Sequence, residues 1–491
     1  MLDQLAEWKR RYGTHDGRDL ERLLDEIDAA QFIAPADLIR LHETLLFLRA
    51  YPQSAGMARR TQAMLRGFGK RTKELDAEAF QAPEVAGIAG TSLTAVFSYD
   101  VARHLAGRRR DVRIDWEAYA EPERMGPVLR HVLPAIGEDW PVEAHTPFER
   151  WVQTAVPRGQ TDLQWLLSKL DSPYARELYE SMEVPLYWRL EKAPHTRSQV
   201  YGARRPYLFD RPLLRRKDVS LVDAFTAPPL PVEKLPRGEA ERMLEIVVET
   251  SAVRYRELYG FRHPDTARIF RIDAGRGLEI YWFGVPPAWR LPLRAYHAAM
   301  FFQNGVPAGY LETLSLFDRA EVGFNLYYTF RDGESAWIYA RLLQVTHQML
   351  GVNTIMVDPY QIGRENDEAL DSGAFWFYRK LGFAPVEPAI AGILEREERK
   401  IARSPDHRSS RAMLRKLSAG YIRFEGPAAE PGAWDRFDIR NFAMAGGWNA
   451  VRGSAAVVNA KRGTDEAGYL RLMQRDANLR AQVLRLGSTS S

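Results

Sequence analysis

The sequence predicts an α+β protein. A helical N-terminal domain (residues 1–215) precedes a mixed α/β domain with a central twisted sheet (216–426), and a C-terminal helical tail (427–491) follows. Three observations predict this. Apolar residues recur at helical spacing through the first 215 residues, with no alternating run among them. From about residue 266 the pattern changes to period two, with Asn304-Gly305 as the strongest hairpin signal in the chain. After residue 335 helical and short apolar segments alternate, which is the pattern of a sheet with helices packed against it.

In the first part, Leu38, Leu41, Leu45 and Leu48 share one helical face in ADLIRLHETLLFLRAYP, with Asp37 as candidate cap and Pro52 beyond the last turn. ERLLDEIDAAQFI (21–33) and TDLQWLLSKL (161–170) repeat the periodicity. The segment 196–217 interleaves Arg197, Arg204, Arg205, Arg211, Arg215, Arg216 and Lys217 with Tyr201, Tyr207 and Phe209. Arginine with stacking aromatics suits single-stranded nucleic acid, and it equally suits an extended arm lying on a domain surface. A net charge of only +4 on 491 residues gives no general basic footprint, so nucleic acid is not the expected partner.

VSLVDAF (219–225) reads as a first strand. APPLPVEKLPRGE (227–239), with four prolines, reads as a loop or linker, expected near 227–236 to be more protease-sensitive than its flanks, and 239–260 as a helix. RIFRID and LEIYWFGV flank the turn AGRG (274–277). LRAYHAAMFFQ (293–303) and VPAGYLETLSLF flank Asn304-Gly305. In AEVGFNLYYTF (320–330), Glu321, Gly323 and Asn325 share one face, and Val322, Phe324 and Leu326 the other. AWIYARLLQVTHQML (336–350) is a helix, and NTIMVDP (353–359) a strand.

SGAFWFYRKLGF (372–383) is a helix with Phe375, Tyr378 and Leu381 on one face. Gly382 suits a left-handed cap there, with Phe383 folded back on the last turn. An acidic loop (357–371), a charged helical insertion (388–418), a closing strand GYIRFEG (420–426) and a final helix within 468–487 complete the chain.

With no cysteine, disulfides, thiolate metal sites and cysteine nucleophiles are excluded. His297 and His347 lack metal-site spacing, so both are expected to be structural and no metal is expected. The charged start MLDQLAEWKRRYG has no apolar core, and no apolar run reaches the ~18 residues of a membrane span. A cytoplasmic protein without membrane contact is expected.

The order strand, loop, helix, strand, helix over about 293–386 resembles the GNAT acyltransferase superfamily, possibly extending over 219–425. In that family a long strand runs into a pyrophosphate-binding loop of Arg or Gln, two residues, Gly, one residue, Gly or Ala. Here Arg331-Asp332-Gly333-Glu334-Ser335-Ala336 takes that place: Arg331 and Ala336 match, and Glu334 stands where glycine is usual. The family's second motif ends Lys-Leu-Gly-Phe. Ala374, Tyr378, Lys380, Leu381, Gly382 and Phe383 match it, and Asp371 replaces its Asn.

The resemblance implies a GNAT-like domain that takes an acyl group from acetyl-CoA or another acyl-CoA and transfers it to an amine, of a small molecule or a protein. Residues 331–336 would bind the cofactor, Tyr378 would protonate the leaving thiolate, Glu321 or Glu312 would be the base, and Asn325 and Asp371 would contact the acceptor. Two alternatives stand beside this. One is a non-catalytic GNAT-like module with a degenerate coenzyme A site. The other is an aminoacyl or peptidyl transferase fed by charged RNA. Independently of the family, a helix start favours an anion, and an acid at 334 would repel it. On the sequence alone, Glu334→Gly is therefore expected to tighten coenzyme A binding at a slight cost in stability.

Overall fold

The computed structural model describes every residue except 13–16, 74, 76–77, 134, 136–138, 140–141, 144, 203–205, 405, 433–438, 440–441, 443–465 and 488–491. Arg204, Arg205 and much of the expected C-terminal tail lie outside the described residues. The chain divides into two compact units: unit 1 holds residues 1–210 and 241–262, unit 2 residues 211–240 and 263–491. Most of the 239–260 segment thus belongs with the N-terminal unit and does not open the sheet domain.

Unit 1 is mainly helical. Pro35–Ala50 buries Leu38, Leu41, Leu45 and Leu48 completely. It starts at Pro35, whose fixed φ suits the first helical position, two residues before the expected cap Asp37. The unit also contains a sheet that the sequence did not announce: β1 (Ser92–Val96), β2 (Val112–Ile114) and β3 (Pro185–Arg189), antiparallel in the order β1-β3-β2. Strands of three to five residues are too short to register as alternation, and β3 follows β2 only after some 70 residues of helix and loop.

In the helix Arg237–Ala252, the Glu249 carboxylate is fully buried and accepts from Arg109 (2.7 and 3.1 Å) and His104 (3.3 Å). Burial pushes its pKa up, but the hydrogen bonds from His104 and Arg109 outweigh burial and hold it below the ordinary value. A depressed carboxylate contributes stability in full above its unfolded pKa of about 4.3, and loses it as pH falls through the lower folded pKa. The acid limb of a stability-versus-pH curve should therefore be steeper in wild type than in Glu249→Gln, as urea melts at stepped pH would record.

Unit 2 is built on one mixed sheet. Its strands are β4 (Val232–Lys234), β5 (Ile269–Asp273), β6 (Leu278–Gly284), β7 (Ala295–Gln303), β8 (Val306–Leu316), β9 (Arg319–Leu326), β10 (Thr354–Val357), β11 (Ala384–Pro385) and β12 (Ile422–Glu425). Among the described residues the order is β11-β12-β10-β9-β8-β7-β6-β5-β4. Only β9 and β10 run parallel, joined by the crossover helix Ser335–Leu350. Asn304 and Gly305 take φ of +48° and +78°, the left-handed pair a two-residue hairpin requires, and so set the β7/β8 register. Val322 and Phe324 point to the face that receives the helices: Phe324 packs on Tyr339 (4.8 Å between rings) and stacks with Phe377.

One expectation for residues 219–239 fails. VSLVDAF forms the helix Leu221–Thr226, because the Ser220 side chain caps Asp223 N–H at 3.1 Å. The proline-rich stretch is a mostly exposed loop, as expected, and it is anchored along its length. Leu230 exchanges two 2.8 Å bonds with the Gln348 amide, Pro228 C=O accepts from Gln344 (3.0 Å), and Val232–Lys234 forms the edge strand β4. Proline is tolerated at such an edge. Through these anchors 227–239, though exposed, should resist limited proteolysis better than loops without such bonds.

The acidic segment 357–371, expected as a loop, holds the short helices Pro359–Ile362 and Asp367–Asp371, and the one final helix expected in the tail is two. The insertion forms the helices Pro388–Arg403 and Arg411–Leu417. The tail helices Glu466–Arg475 and Ala477–Gly487 belong to unit 2, where Tyr469, Arg471 and Gln474 donate to the carbonyls of Leu293, Met349 and Phe317. Among the described residues no helix is long and apolar enough to cross a membrane.

Candidate functional site

The site begins where β9 parts from β10. Tyr327 N–H bonds to Ala308 C=O, which fixes the ladder parity: residues 321, 323 and 325 turn their backbone groups to β8, and 322, 324 and 326 turn theirs toward β10. Pairing with β10 stops at Glu321–Met356. Beyond it the Gln361 amide takes the place of a strand, donating to Val322 C=O (3.1 Å) and accepting from Phe324 N–H (3.1 Å). Tyr378 adds its hydroxyl to the same Gln361 oxygen at 3.4 Å. The next two groups on this edge, Phe324 C=O and Leu326 N–H, have no hydrogen-bond partner among the described residues, so a length of open strand edge lies between Gln361 and the loop. Leu326 C=O meets Arg331 Nε at 3.5 Å.

That loop leads into Ser335–Leu350. The helix is capped at Gly351 (φ +73°), and at its start the N–H groups of Ser335, Ala336 and Trp337 have no acceptor among the described residues. Such groups, with the helix dipole, favour an anion. Gly333 N–H is already used by Phe330 C=O (2.9 Å).

Glu334 does not face this site. Its carboxylate makes no capping bond. It is 1% exposed and receives Arg276 through both Nε (2.8 Å) and Nη2, and Leu214 N–H at 2.8 Å. Arg276 sits at φ +50° in the AGRG turn, a left-handed conformation costly for arginine, and the bidentate pair holds it there. The expected clash between an acid and a phosphate is thereby removed, because the acid is turned away and neutralised.

Tyr378 is 4% exposed, on the face with Phe375 and Leu381 as its spacing predicts, and rings of Tyr339, Phe377 and Phe383 surround it. Gly382 takes φ +106°, and Phe383 N–H returns to Tyr378 C=O. Burial pushes the Tyr378 pKa up, so the hydroxyl stays protonated at neutral pH.

The acceptor-side candidates share the opposite sheet face. Glu312 stands across from Gly323, Tyr310 from Asn325, and Leu314 from Glu321. Glu312 is half-buried and accepts from the Tyr296 hydroxyl. Burial raises its pKa and that hydrogen bond partly opposes the rise. Asn325 donates to Tyr310 Oη (3.0 Å), and Glu321 is buried. Gly323 matters by what it lacks. A Cβ there would lie 3.2 Å from Gln361 Nε2 and 3.8 Å from Glu312 Cβ, so the bare backbone lets the Gln361 amide close on this edge without crowding.

The acidic loop is engaged within the chain. Asp371 pairs with Arg411 (3.4 Å), Asp367 with Arg411 and Arg415, and Glu368 with Arg331 (2.5 Å), whose guanidinium covers Tyr328. Asp371 is thus not brought to Glu312 and Asn325. Asp332 is exposed. The arginine-rich arm is divided between the units: in unit 1 Arg197 is 6% exposed, bound by the carbonyls of Pro83, Glu84 and Ala86, and Phe209 is buried against Tyr51, whereas Arg211, Arg215, Arg216 and Lys217, in unit 2, are exposed. His297 is buried on Trp282, and His347 bonds to Val352 C=O. Among the described residues no group of three His, Asp or Glu side chains is placed to hold a metal ion.

Sequence reasoning missed Gln361 and Arg276. A glutamine in an acidic loop and an arginine in a hairpin turn carry no local signal, since the partners of each are set by tertiary contact. Comparison with family models, with curated proteins and with solved structures returned no match.

Proposed function

We propose that unit 2 is a GNAT-like acyltransferase that takes an acyl group from acyl-coenzyme A and passes it to an amine, of a small molecule or of a protein. The observation that carries the reading is the set of backbone groups without a partner among the described residues: Phe324 C=O and Leu326 N–H on the β9 edge, and the N–H groups of Ser335, Ala336 and Trp337 at the helix start. Coenzyme A carries amides between its sulfur and its diphosphate. Its amide arm matches a strand edge, and its diphosphate matches a helix start. Laid this way, the thioester lies toward Gln361 and Tyr378.

The amine approaches over the other face, the one that carries Glu312 and Asn325. Glu312, whose raised pKa makes it the better base, takes the amine proton. The nitrogen lone pair attacks the thioester carbonyl, the C–N bond forms and the C–S bond breaks. The departing sulfur takes the Tyr378 proton. Asn325, held by Tyr310, orients the acceptor, and buried Glu321 supports that face from two residues away.

A non-catalytic module is the second reading, and the near-complete burial of Tyr378 favours it. The internal use of Arg197 and Phe209 weakens the RNA-donor reading. Calorimetric titration of the full chain with acetyl-coenzyme A tests the proposal. Saturable one-to-one binding supports it, and no heat at millimolar ligand leaves the non-catalytic module.

A further inference from the structure

The side-chain device on β9 recurs in unit 1, on β1. Leu190 N–H bonds to Thr91 C=O, so residues 93 and 95 face β3, while 92, 94 and 96 turn their backbone groups outward from the sheet edge. On that edge the Gln81 amide donates to Ser92 C=O (3.0 Å) and accepts from Thr94 N–H (3.4 Å), and the Tyr255 hydroxyl joins the same oxygen (3.2 Å). Thr94 C=O, Val96 N–H and Val96 C=O then follow with no partner among the described residues. Val96 is 54% exposed, and these groups border a cavity of about 450 Å³ lined also by Pro83, Phe97, Tyr255 and Glu257.

The two edges differ at their far end. After β9 the helix start is open, whereas after β1 the Glu257 carboxylate already receives Ser98 N–H (3.0 and 3.3 Å), just before the helix Tyr99–Arg108. An anion is thereby disfavoured. Glu257 has no cationic partner among the described residues, so the cavity offers an unneutralised acid beside unpaired strand groups. Unpaired strand edges attract extended chains.

We propose that this edge docks an extended peptide bearing a lysine or arginine, which adds as a fourth strand to the unit 1 sheet and sets its cation beside Glu257. One peptide residue exchanges N–H and C=O bonds with Val96, and a second N–H reaches Thr94 C=O. Gln81 and the Glu257-capped Ser98 close the two ends, so the segment is short, about four residues at strand spacing.

The test selects phage-displayed random heptapeptides on the full chain, then measures the enriched peptide, made synthetically, against wild type and variants. The expected sequences carry Lys or Arg. Binding should fall about tenfold in Val96→Pro, which removes one edge donor, and about tenfold in Glu257→Gln, where its salt dependence should also largely vanish. Val96 N–H takes no part in the ladder, so proline is tolerable there. A scan of N-methylated peptides on the wild-type protein makes the test independent of that variant's folding: methylation at alternate positions should abolish binding and at intervening positions should not. No enriched peptide, unchanged binding to both variants, or an N-methyl scan without alternation would overturn the proposal.

Discussion

Glu334→Ala is expected to destabilise unit 2 by about 2–3 kcal/mol and to weaken coenzyme A binding about tenfold. Removing one member of a buried ion pair typically costs about 3–5 kcal/mol, because the other charge is left uncompensated. Arg276 is 27% exposed, so water recovers part of its solvation and the cost falls to the bottom of that range or below it. Leu214 N–H also loses its acceptor, and Arg276 loses what holds its left-handed backbone in place. The loop between β9 and the helix then loosens, which lowers affinity by about 1.4 kcal/mol if the open amides are no longer pre-arranged. This reverses the sign expected from sequence alone for removing the acid at 334. Urea unfolding and calorimetry on the purified variant read both effects. A variant as stable as wild type that binds coenzyme A more tightly would mean that Glu334 faces the ligand after all.

Tyr378→Phe is expected to lower kcat for acyl transfer by about 10²-fold or more, the usual loss when a general acid is removed. Stability should change by less than about 1 kcal/mol. The ring, with its contacts to Tyr339, Phe377 and Phe383, is retained, and the hydroxyl bond to Gln361, at 3.4 Å, is longer than a strong O–H···O bond. KM for the acyl donor should stay near the wild-type value, since the donor's amides and diphosphate are held elsewhere. An unchanged kcat would return Tyr378 to the core and leave the thiolate to be protonated by water.

What was legible in the sequence was local. Asn304-Gly305 fixed a hairpin because few residues adopt two left-handed conformations in succession, and Gly382 marked the end of the Tyr378 helix for the same reason. The alternation in AEVGFNL correctly put Glu321, Gly323 and Asn325 on one face, and the register of β8 then brought Glu312 among them. Legibility failed where a distant partner decides the outcome. The apolar content of VSLVDAF suggested a strand, but Ser220 capped a helix. Four prolines suggested a loop or linker, but not that Gln344 and Gln348, more than 100 residues away, anchor that backbone. The role of Gln361 depends on a strand edge 37 residues earlier that β10 leaves uncovered. An amide can replace a strand only where the fold has parted two strands, and no local pattern announces that.

In the proposed binding mode coenzyme A lies along the β9 edge and the start of the following helix. Hydrogen–deuterium exchange of the full chain with and without coenzyme A tests this mode, because the four amides it would cover have no hydrogen-bond partner among the described residues. Leu326, Ser335, Ala336 and Trp337 should exchange several-fold more slowly with ligand bound, and Phe324, already held by Gln361, should change little. Ligand-dependent protection confined to other segments, or none at saturating coenzyme A, would contradict the account.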